Sequence, residues 1–189
     1  MSQLELLAVL VNMLGVWLTA QRIRWCWPVG VLAVSLYAWI FYEVKLYSDT
    51  LLQGAFALMQ GYGWWQWSRS GLDQGKVHVA PLPRREALMG LATGLIGGAL
   101  LGASMAHFTD AALPWLDAQL ASFSLVASVW AARRFAASWI LWIVVDLIYV
   151  AMYVLKDLPL TAGLYVGFIV LALYGWRGWR RDASDTAAA

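Results

Sequence analysis

The segment Ser138–Lys156 reads SWILWIVVDLIYVAMYVLK, and it decides the class of fold. About 20 mostly apolar residues are enough to cross a bilayer, so this segment predicts a transmembrane helix. Its one mid-span charge is Asp146, and a carboxylate at that depth costs roughly 2.5–3.5 kcal/mol on insertion scales. Such a residue indicates a functional site, and the alternative is a structural hydrogen bond between helices.

The composition places the whole chain in the membrane. Hydrophobic residues make up 62% of the 189 and charged residues 13%, whereas about a quarter of a soluble domain is charged. A single cysteine, Cys26, excludes an internal disulfide, and neither His78 nor His107 has a partner at metal-ligand spacing. We therefore expect no metal site and no cofactor. The net charge of +2 and the position of the basic residues beside apolar segments argue against a nucleic-acid partner.

Seven segments are apolar and long enough to be predicted as membrane spans, so the predicted class is an all-α integral membrane protein. They cover residues 3–20, 28–44, 50–67, 87–107, 115–132, 139–155 and 161–178. Eleven of the thirteen Lys and Arg lie in loops 1–2, 3–4 and 5–6 or after the last span, and only Lys45 and Lys156 lie on the opposite side. The positive-inside rule then predicts an external N-terminus and a cytoplasmic C-terminus.

The first and last three spans are copies of one another. Trp27 matches Trp139, Lys45 matches Lys156, and YGWWQW from Tyr62 matches YGWRGW from Tyr174, all at an offset of 111 to 113 residues. Because one span separates the copies, both insert in the same direction, which predicts parallel repeats with substrate bound near the midplane between them. The predicted units are residues 1–67, the cytoplasmic linker 68–86, the linker helix 87–107, the second repeat 115–179 and the tail 180–189.

The linker helix carries glycines at four-residue spacing. Small residues on one stripe let helix backbones approach closely, so the stripe predicts packing. Whether it faces its own repeats or a neighbouring subunit stays open from sequence. These glycines are Gly90, Gly94, Gly98 and Gly102.

Polar and aromatic residues share one face of span 6 and one face of span 3. On span 6 they are Trp139, Trp142, Asp146, Tyr149 and Tyr153, spaced by three and four residues. Span 3 places Gln53, Gln60, Trp64 and Trp67 on one face, and Asn12 lies near the middle of span 1.

Other tryptophans lie near span ends, where the ordinary interpretation is an interfacial belt. On that interpretation the belt comprises Trp25, Trp27, Trp65, Trp67, Trp115, Trp176 and Trp179.

An aromatic chamber with one carboxylate suits a flat ring that is cationic or weakly polar. A cation over Trp or Tyr gains roughly 0.5–2 kcal/mol. No Lys or Arg lies at mid-membrane, so a phosphorylated ligand would lack a charged partner, and we expect nucleotides to be rejected. The only glycine-rich candidate for a phosphate loop, GLDQGKV, lacks the required spacing, which argues against ATP hydrolysis.

The sequences YGWWQWSR and WIVVDLIYVAMYVLKDLPLTAGLYVGFIVLALYGWRGW resemble the PnuC transporters of vitamin precursors over residues 4–181. The resemblance implies a full-length SWEET-like fold of three, one and three helices, usually a homotrimer in a bacterial inner membrane. It also implies facilitated diffusion of nicotinamide riboside, which cytosolic phosphorylation then traps for NAD biosynthesis. Related members carry thiamine or riboflavin. One departure is Asp146, where many members carry Asn.

The predicted function is therefore a nicotinamide riboside uniporter and not an enzyme. Trp64, Trp142 and Tyr149 would wall the ring, Gln60 and Asn12 would bond the amide or ribose, and Asp146 would accept ribose hydroxyls or balance the pyridinium. Thr161, Tyr165 and Tyr153 are weaker candidates nearer the outer mouth. One alternative is thiamine or another aromatic vitamin as cargo. A second is a membrane-embedded enzyme using Asp146 as acid or base, but no second catalytic group lies at mid-depth.

Overall fold

The computed structural model describes residues 3–43, 45, 47–73, 75–109, 113–155, 157 and 159–188, and helices dominate this part of the chain. Each of the seven predicted spans lies on one helix. The elements are α1 Gln3–Ala20, α2 Cys26–Glu43, α3 Tyr47–Arg69, β1 Leu72–Asp73, β2 Lys76–Val77, α4 Arg84–Phe108, α5 Pro114–Ala132, α6 Ala137–Leu155 and α7 Pro159–Ala188. Val44, Lys156 and Ala189, at the ends of predicted segments, lie outside the described residues.

Four of these helices, α1, α2, α4 and α6, are long and apolar enough to cross a membrane by length and composition, as judged over the described residues. The seventh helix extends furthest beyond its prediction, because α7 continues from the predicted end at residue 178 to Ala188. The extension reads RGWRRDASDTAA, in which Arg and Ala favour helix. The predicted tail is thus helical as far as Ala188.

Two pairs of turns have the same backbone conformation at the offset of the predicted repeat. Arg22 follows α1 with φ 63°, and Arg134 follows α5 with φ 67°. Lys45 follows α2 with φ 61°, and Asp157 follows α6 with φ 55°. Left-handed backbone is uncommon for residues other than glycine, so its recurrence 112 residues apart marks matched helix ends.

The segment between α3 and α4 joins these matched ends. It begins with a short antiparallel hairpin, in which β1 pairs with β2. The Val77 N–H then donates to the Arg22 carbonyl at 3.2 Å, and the Ala80 N–H donates to the Arg134 carbonyl at 3.0 Å. Between them the Val79 N–H donates to the Asp182 carboxylate at 3.1 Å, and Asp182 also pairs with the Arg22 guanidinium. We call residues 76–80 the linker strap.

The glycine stripe of α4 packs against α5 of the same chain. At each stripe position a Cβ would collide with a side chain of α5, so glycine is what permits the close approach. The question left open by the sequence is answered in favour of packing within the chain. The opposed pairs are Gly90 with Trp130, Gly94 with Phe123, Gly98 with Gln119, and Gly102 with Trp115.

Four tryptophans form the centre of the bundle at its basic end, and we call Trp27, Trp67, Trp139 and Trp179 the tryptophan core. Trp27 meets Trp67 edge-on at 5.4 Å between ring centroids, and Trp139 meets Trp179 edge-on at 5.6 Å. Trp67 and Trp179 contact each other at 6.1 Å, and neither has any exposed surface. The belt prediction was therefore wrong for Trp27, Trp67 and Trp179. It agrees with the exposure of Trp25, Trp65 and Trp115, whereas Trp176 is half-buried.

The tryptophan core also joins the two halves of the chain through hydrogen bonds. The indole N–H of Trp67, on α3, donates to the Ala132 carbonyl at the end of α5, at 3.0 Å. The indole N–H of Trp179, on α7, donates to the Thr19 carbonyl near the end of α1, at 3.2 Å. Each half therefore caps the first helix of the other, which satisfies carbonyls that a helix end leaves without partners.

Candidate functional site

Asp146 lies at the middle of α6 and faces the interior of the bundle, with 6% of its surface exposed. No hydrogen bond or ion pair from another described residue reaches its carboxylate. A buried polar group that lacks a partner costs free energy, so one that persists calls for an explanation. A structural hydrogen bond, the alternative role, has no partner in the described chain.

Three tyrosines gather beside Asp146, and we call Tyr149, Tyr153 and Tyr165 the tyrosine cluster. The ring of Tyr165, on α7, lies 4.8 Å from that of Tyr149 and 5.3 Å from that of Tyr153. Tyr149 and Tyr153, on successive turns of α6, stack at 6.0 Å with 19° between their planes. The hydroxyls of Tyr153 and Tyr165 share a hydrogen bond, and Phe168 meets Tyr165 edge-on at 5.9 Å. The facing helices α6 and α7 thus build one aromatic wall.

The charge at this wall is negative. The Asp146 carboxylate is close enough to Tyr165 to interact with it electrostatically, and aromatic faces themselves attract cations. The cation–π pairs in the described chain all lie at helix ends, on Trp64, Trp65 and Trp176. No three His, Cys, Asp or Glu side chains among the described residues are grouped closely enough to hold a metal ion. The site is suited to an organic cation with a flat ring.

Trp142 and Thr161 extend the same faces. Trp142 lies four residues before Asp146 on α6, and Thr161 lies four residues before Tyr165 on α7, so each is one turn away from a residue of the site. Both side chains are half-buried. They complete a strip along the contact of α6 and α7 that agrees with the predicted spacing.

Three predicted residues have their described contacts elsewhere or show none. The amide of Gln60, on α3, packs directly on Gly30 of α2 and leaves no space there for a Cβ. The ring of Trp64 lies 5.5 Å from that of Trp25, and the Arg24 guanidinium stands 5.8 Å from its centroid. Trp64 therefore lies close to the basic end of the bundle, whereas Asp146 is at mid-helix.

Asn12 is half-buried on α1. The following residue, Met13, reaches towards Gly167 on α7, so this part of α1 faces α7 close to Phe168. Phe168 was missed by the sequence reasoning, although its position three residues after Tyr165 on the same helix was a usable signal.

Comparison with known proteins shows relatives along almost the whole chain. Residues 2–181 match a family model described as nicotinamide mononucleotide transporter. The nicotinamide riboside transporter PnuC of Escherichia coli K12 is 25% identical over 181 residues, with 82% of this chain and 76% of that protein covered. The nicotinamide riboside transporter PnuC of Neisseria mucosa is 27% identical over 165 residues, with 80% of this chain and 62% of that protein covered.

A solved structure is also similar. The crystal structure of the vitamin B3 transporter PnuC matches with a TM-score of 0.80 and 26% identity, over 97% of this chain and 83% of that one. The helical arrangement described above therefore agrees with that of a membrane transporter.

Proposed function

The chain belongs to the PnuC family of membrane transporters, and we propose that it carries nicotinamide riboside across the bilayer by facilitated diffusion. The observation that carries the proposal is the buried carboxylate of Asp146, which has an aromatic wall beside it and no partner among the described residues. Nicotinamide riboside supplies what this arrangement lacks, because its pyridinium is a flat cation and its ribose carries hydroxyl donors.

In the proposed complex each predicted residue has a role set by its chemistry. Tyr149, Trp142 and Trp64 wall the ring, and Asp146 accepts ribose hydroxyls or offsets the pyridinium charge. Gln60 and Asn12 can donate to and accept from the carboxamide or the ribose, as amide side chains do. Tyr153, Tyr165 and Thr161 line the approach to the site.

The proposed architecture is SWEET-like, with two parallel three-helix repeats joined by α4 and the ligand between them. Support comes from the matched left-handed turns and from the reciprocal bonds of the tryptophan core. At the repeat offset of 112, Gly30 corresponds to Trp142. Because Gln60 packs on Gly30, this correspondence puts Gln60 and Trp142 at the same depth in opposite halves. That placement favours a ligand that both halves contact, as parallel-repeat transporters arrange it.

The proposed setting is a bacterial inner membrane, with the N-terminus outside and the C-terminus in the cytoplasm. The support is the strong excess of Lys and Arg on one side of the spans. The family resemblance favours a homotrimer, and it favours phosphorylation of the riboside in the cytosol as the step that makes uptake one-way.

We further propose that nicotinamide mononucleotide is not carried, although the matching family model is described by that name. A phosphate entering the site would shed its water, and none of the thirteen Lys and Arg lies at mid-span to receive it. The relatives from Escherichia coli and Neisseria mucosa are described as riboside transporters, which agrees with the charge argument.

Thiamine is the second candidate cargo, because it is also an aromatic cation and Asp146 would favour it for the same reason. Titration calorimetry with both vitamins distinguishes them. We expect the riboside to bind at least tenfold more tightly, and the opposite order would reassign the cargo while leaving the transport mechanism intact.

Transport is tested with purified protein in sealed vesicles that contain no kinase. We expect labelled riboside to equilibrate without ATP, sodium or a proton gradient, and excess mononucleotide to leave the rate unchanged. Vesicles lacking the protein give the background rate. Accumulation above the external concentration would refute facilitated diffusion, and competition by the mononucleotide as strong as that by unlabelled riboside would refute the charge argument.

A further inference from the structure

A second, basic cavity opens at the other end of the bundle, between the end of α1 and the last membrane turns of α7. Its volume is about 320 Å³, within the range usual for small-ligand pockets. We propose that this cavity binds the phosphate of an anionic lipid headgroup. Its polar lining is made by Gln21, Arg22, Tyr174, Arg177 and Arg181, with Gly178 between them.

The charge of the lining selects for an anion. Three arginines face the cavity, and Asp182, which lies against Arg22 in an ion pair, balances one of them. Two positive charges remain for a ligand, on Arg177 and Arg181. Arginine is well suited to phosphate because its planar group donates paired hydrogen bonds to two oxygens.

The neutral lining adds a further donor. The Gln21 amide donates to the Tyr174 hydroxyl oxygen at 2.7 Å. Because that oxygen accepts, the hydroxyl hydrogen of Tyr174 remains available to a ligand oxygen.

The depth of the cavity favours a lipid over a soluble phosphate compound. Its inner lining, Ala20 and Tyr174, lies within the predicted spans 3–20 and 161–178, whereas Arg181 lies beyond them. Alongside, the Arg180 guanidinium stacks over the Trp176 ring at 4.8 Å, a pairing typical of the membrane–water boundary. With the orientation proposed above, on which this inference rests, the cavity faces the cytoplasmic leaflet, where basic pockets between helices bind anionic headgroups.

Gly178 allows the cavity to be blocked without changing its charge. No atom lies within 4 Å of the position that a Cβ would take at Gly178, so a larger side chain enters open space. Gly61, on the exposed face of α3, is equally open and lies outside the cavity, so it gives a matched control.

The test measures lipid binding to the full-length protein in a neutral detergent, by thermal shift and by native mass spectrometry. The probes are phosphatidylglycerol, phosphatidylcholine, and inorganic phosphate as the soluble source. We expect only phosphatidylglycerol to stabilise the protein. Arg177→Gln with Arg181→Gln should weaken its binding about thirtyfold, since each Arg near an anionic interface contributes roughly a fivefold gain in affinity. Gly178→Leu should weaken it by a similar factor.

The charge-matched control is Arg84→Gln with Arg85→Gln, which removes two exposed cations from the same end but outside the cavity. This control and Gly61→Leu should change the affinity less than about threefold. Equal losses in the control and cavity variants would refute a defined site. Stabilisation by inorganic phosphate as strong as that by the lipid would refute the lipid assignment, as would equal binding of the two lipids. Because riboside affinity is not the measured quantity, failure of the proposed cargo leaves the test readable.

Discussion

Replacing Asp146 should weaken ligand binding and raise the stability of the ligand-free protein. For Asp146→Ala we expect the affinity for nicotinamide riboside to fall by about tenfold to hundredfold, or roughly 1.4–2.8 kcal/mol. The reason is that the carboxylate has no partner among the described residues, so a ligand is what it is left to bind.

The stability change has the opposite sign and can be worked out from the same geometry. An unpartnered buried polar group costs about 1–3 kcal/mol, which Asp146→Ala removes. The substitution leaves a void of roughly 20 Å³, which costs about 0.5 kcal/mol. The net gain should be about 1 kcal/mol or somewhat more, equivalent to a rise of roughly 2–4 °C in melting temperature per kcal/mol for a chain of this size.

Asp146→Asn separates the two ways in which the carboxylate could serve the ligand. The amide has the same shape and still accepts hydrogen bonds, so binding should be largely retained if Asp146 only accepts from ribose hydroxyls. If the negative charge offsets the pyridinium, Asn should be as damaging as Ala. Affinity is measured by titration calorimetry, and stability by thermal unfolding of the same ligand-free samples.

Asp117→Asn provides the control, because it removes a half-buried carboxylate from the first turn of α5, away from the tyrosine cluster. Its affinity for riboside should equal that of the unaltered protein. A lower melting temperature with unchanged affinity in both Asp146 variants would refute the reasoning. It would show that Asp146 joins helices and does not bind ligand.

Three further substitutions test the packing. Trp67→Ala should lower the unfolding free energy by about 3–5 kcal/mol, because a fully buried indole is lost, whereas exposed Trp65→Ala should have little effect; denaturation in detergent measures both. Gly63→Ala should destabilise the protein, since its Cβ would collide with a ring of the tryptophan core, whereas Gly61→Ala meets open space and should be neutral or stabilising in the same assay. Asp182→Asn should cost about 1–2 kcal/mol, because the partner of the linker strap loses its charge. Equal melting temperatures within either matched pair, or for the Asp182 variant and the unaltered protein, would contradict the corresponding argument.

The helices were predictable because hydropathy and length act locally along the chain, and so was much of the aromatic strip of α6. A spacing of three and four residues puts Asp146, Tyr149 and Tyr153 on one face whatever that face meets. The spacing does not say which helix lies opposite, and Tyr165 could be placed in the site only from the repeat and the family resemblance.

The tryptophans show where local patterns fail. A tryptophan near a helix end looks the same in sequence whether it faces lipid, as Trp65 does, or the interior, as Trp67 does. The distinction depends on which helices meet, and the recurrence of Trp67 as Trp179 in the second copy was the signal of a shared interior. Likewise, helical spacing placed Trp64 on a face with Gln60 but did not reveal that its contacts would be Trp25 and Arg24.

The linker strap has a mechanical consequence for how the two halves move. Three residues of extended chain between Val77 and Ala80 reach at most roughly 11 Å, so the carbonyls of Arg22 and Arg134 cannot move far apart while both bonds hold. The basic end therefore acts as a pivot, and displacement grows with distance from it. Across a hydrocarbon core of about 30 Å, a rotation of about 10° moves the far helix ends by roughly 5 Å. A small rocking motion about the strap is thus enough to part the aromatic wall.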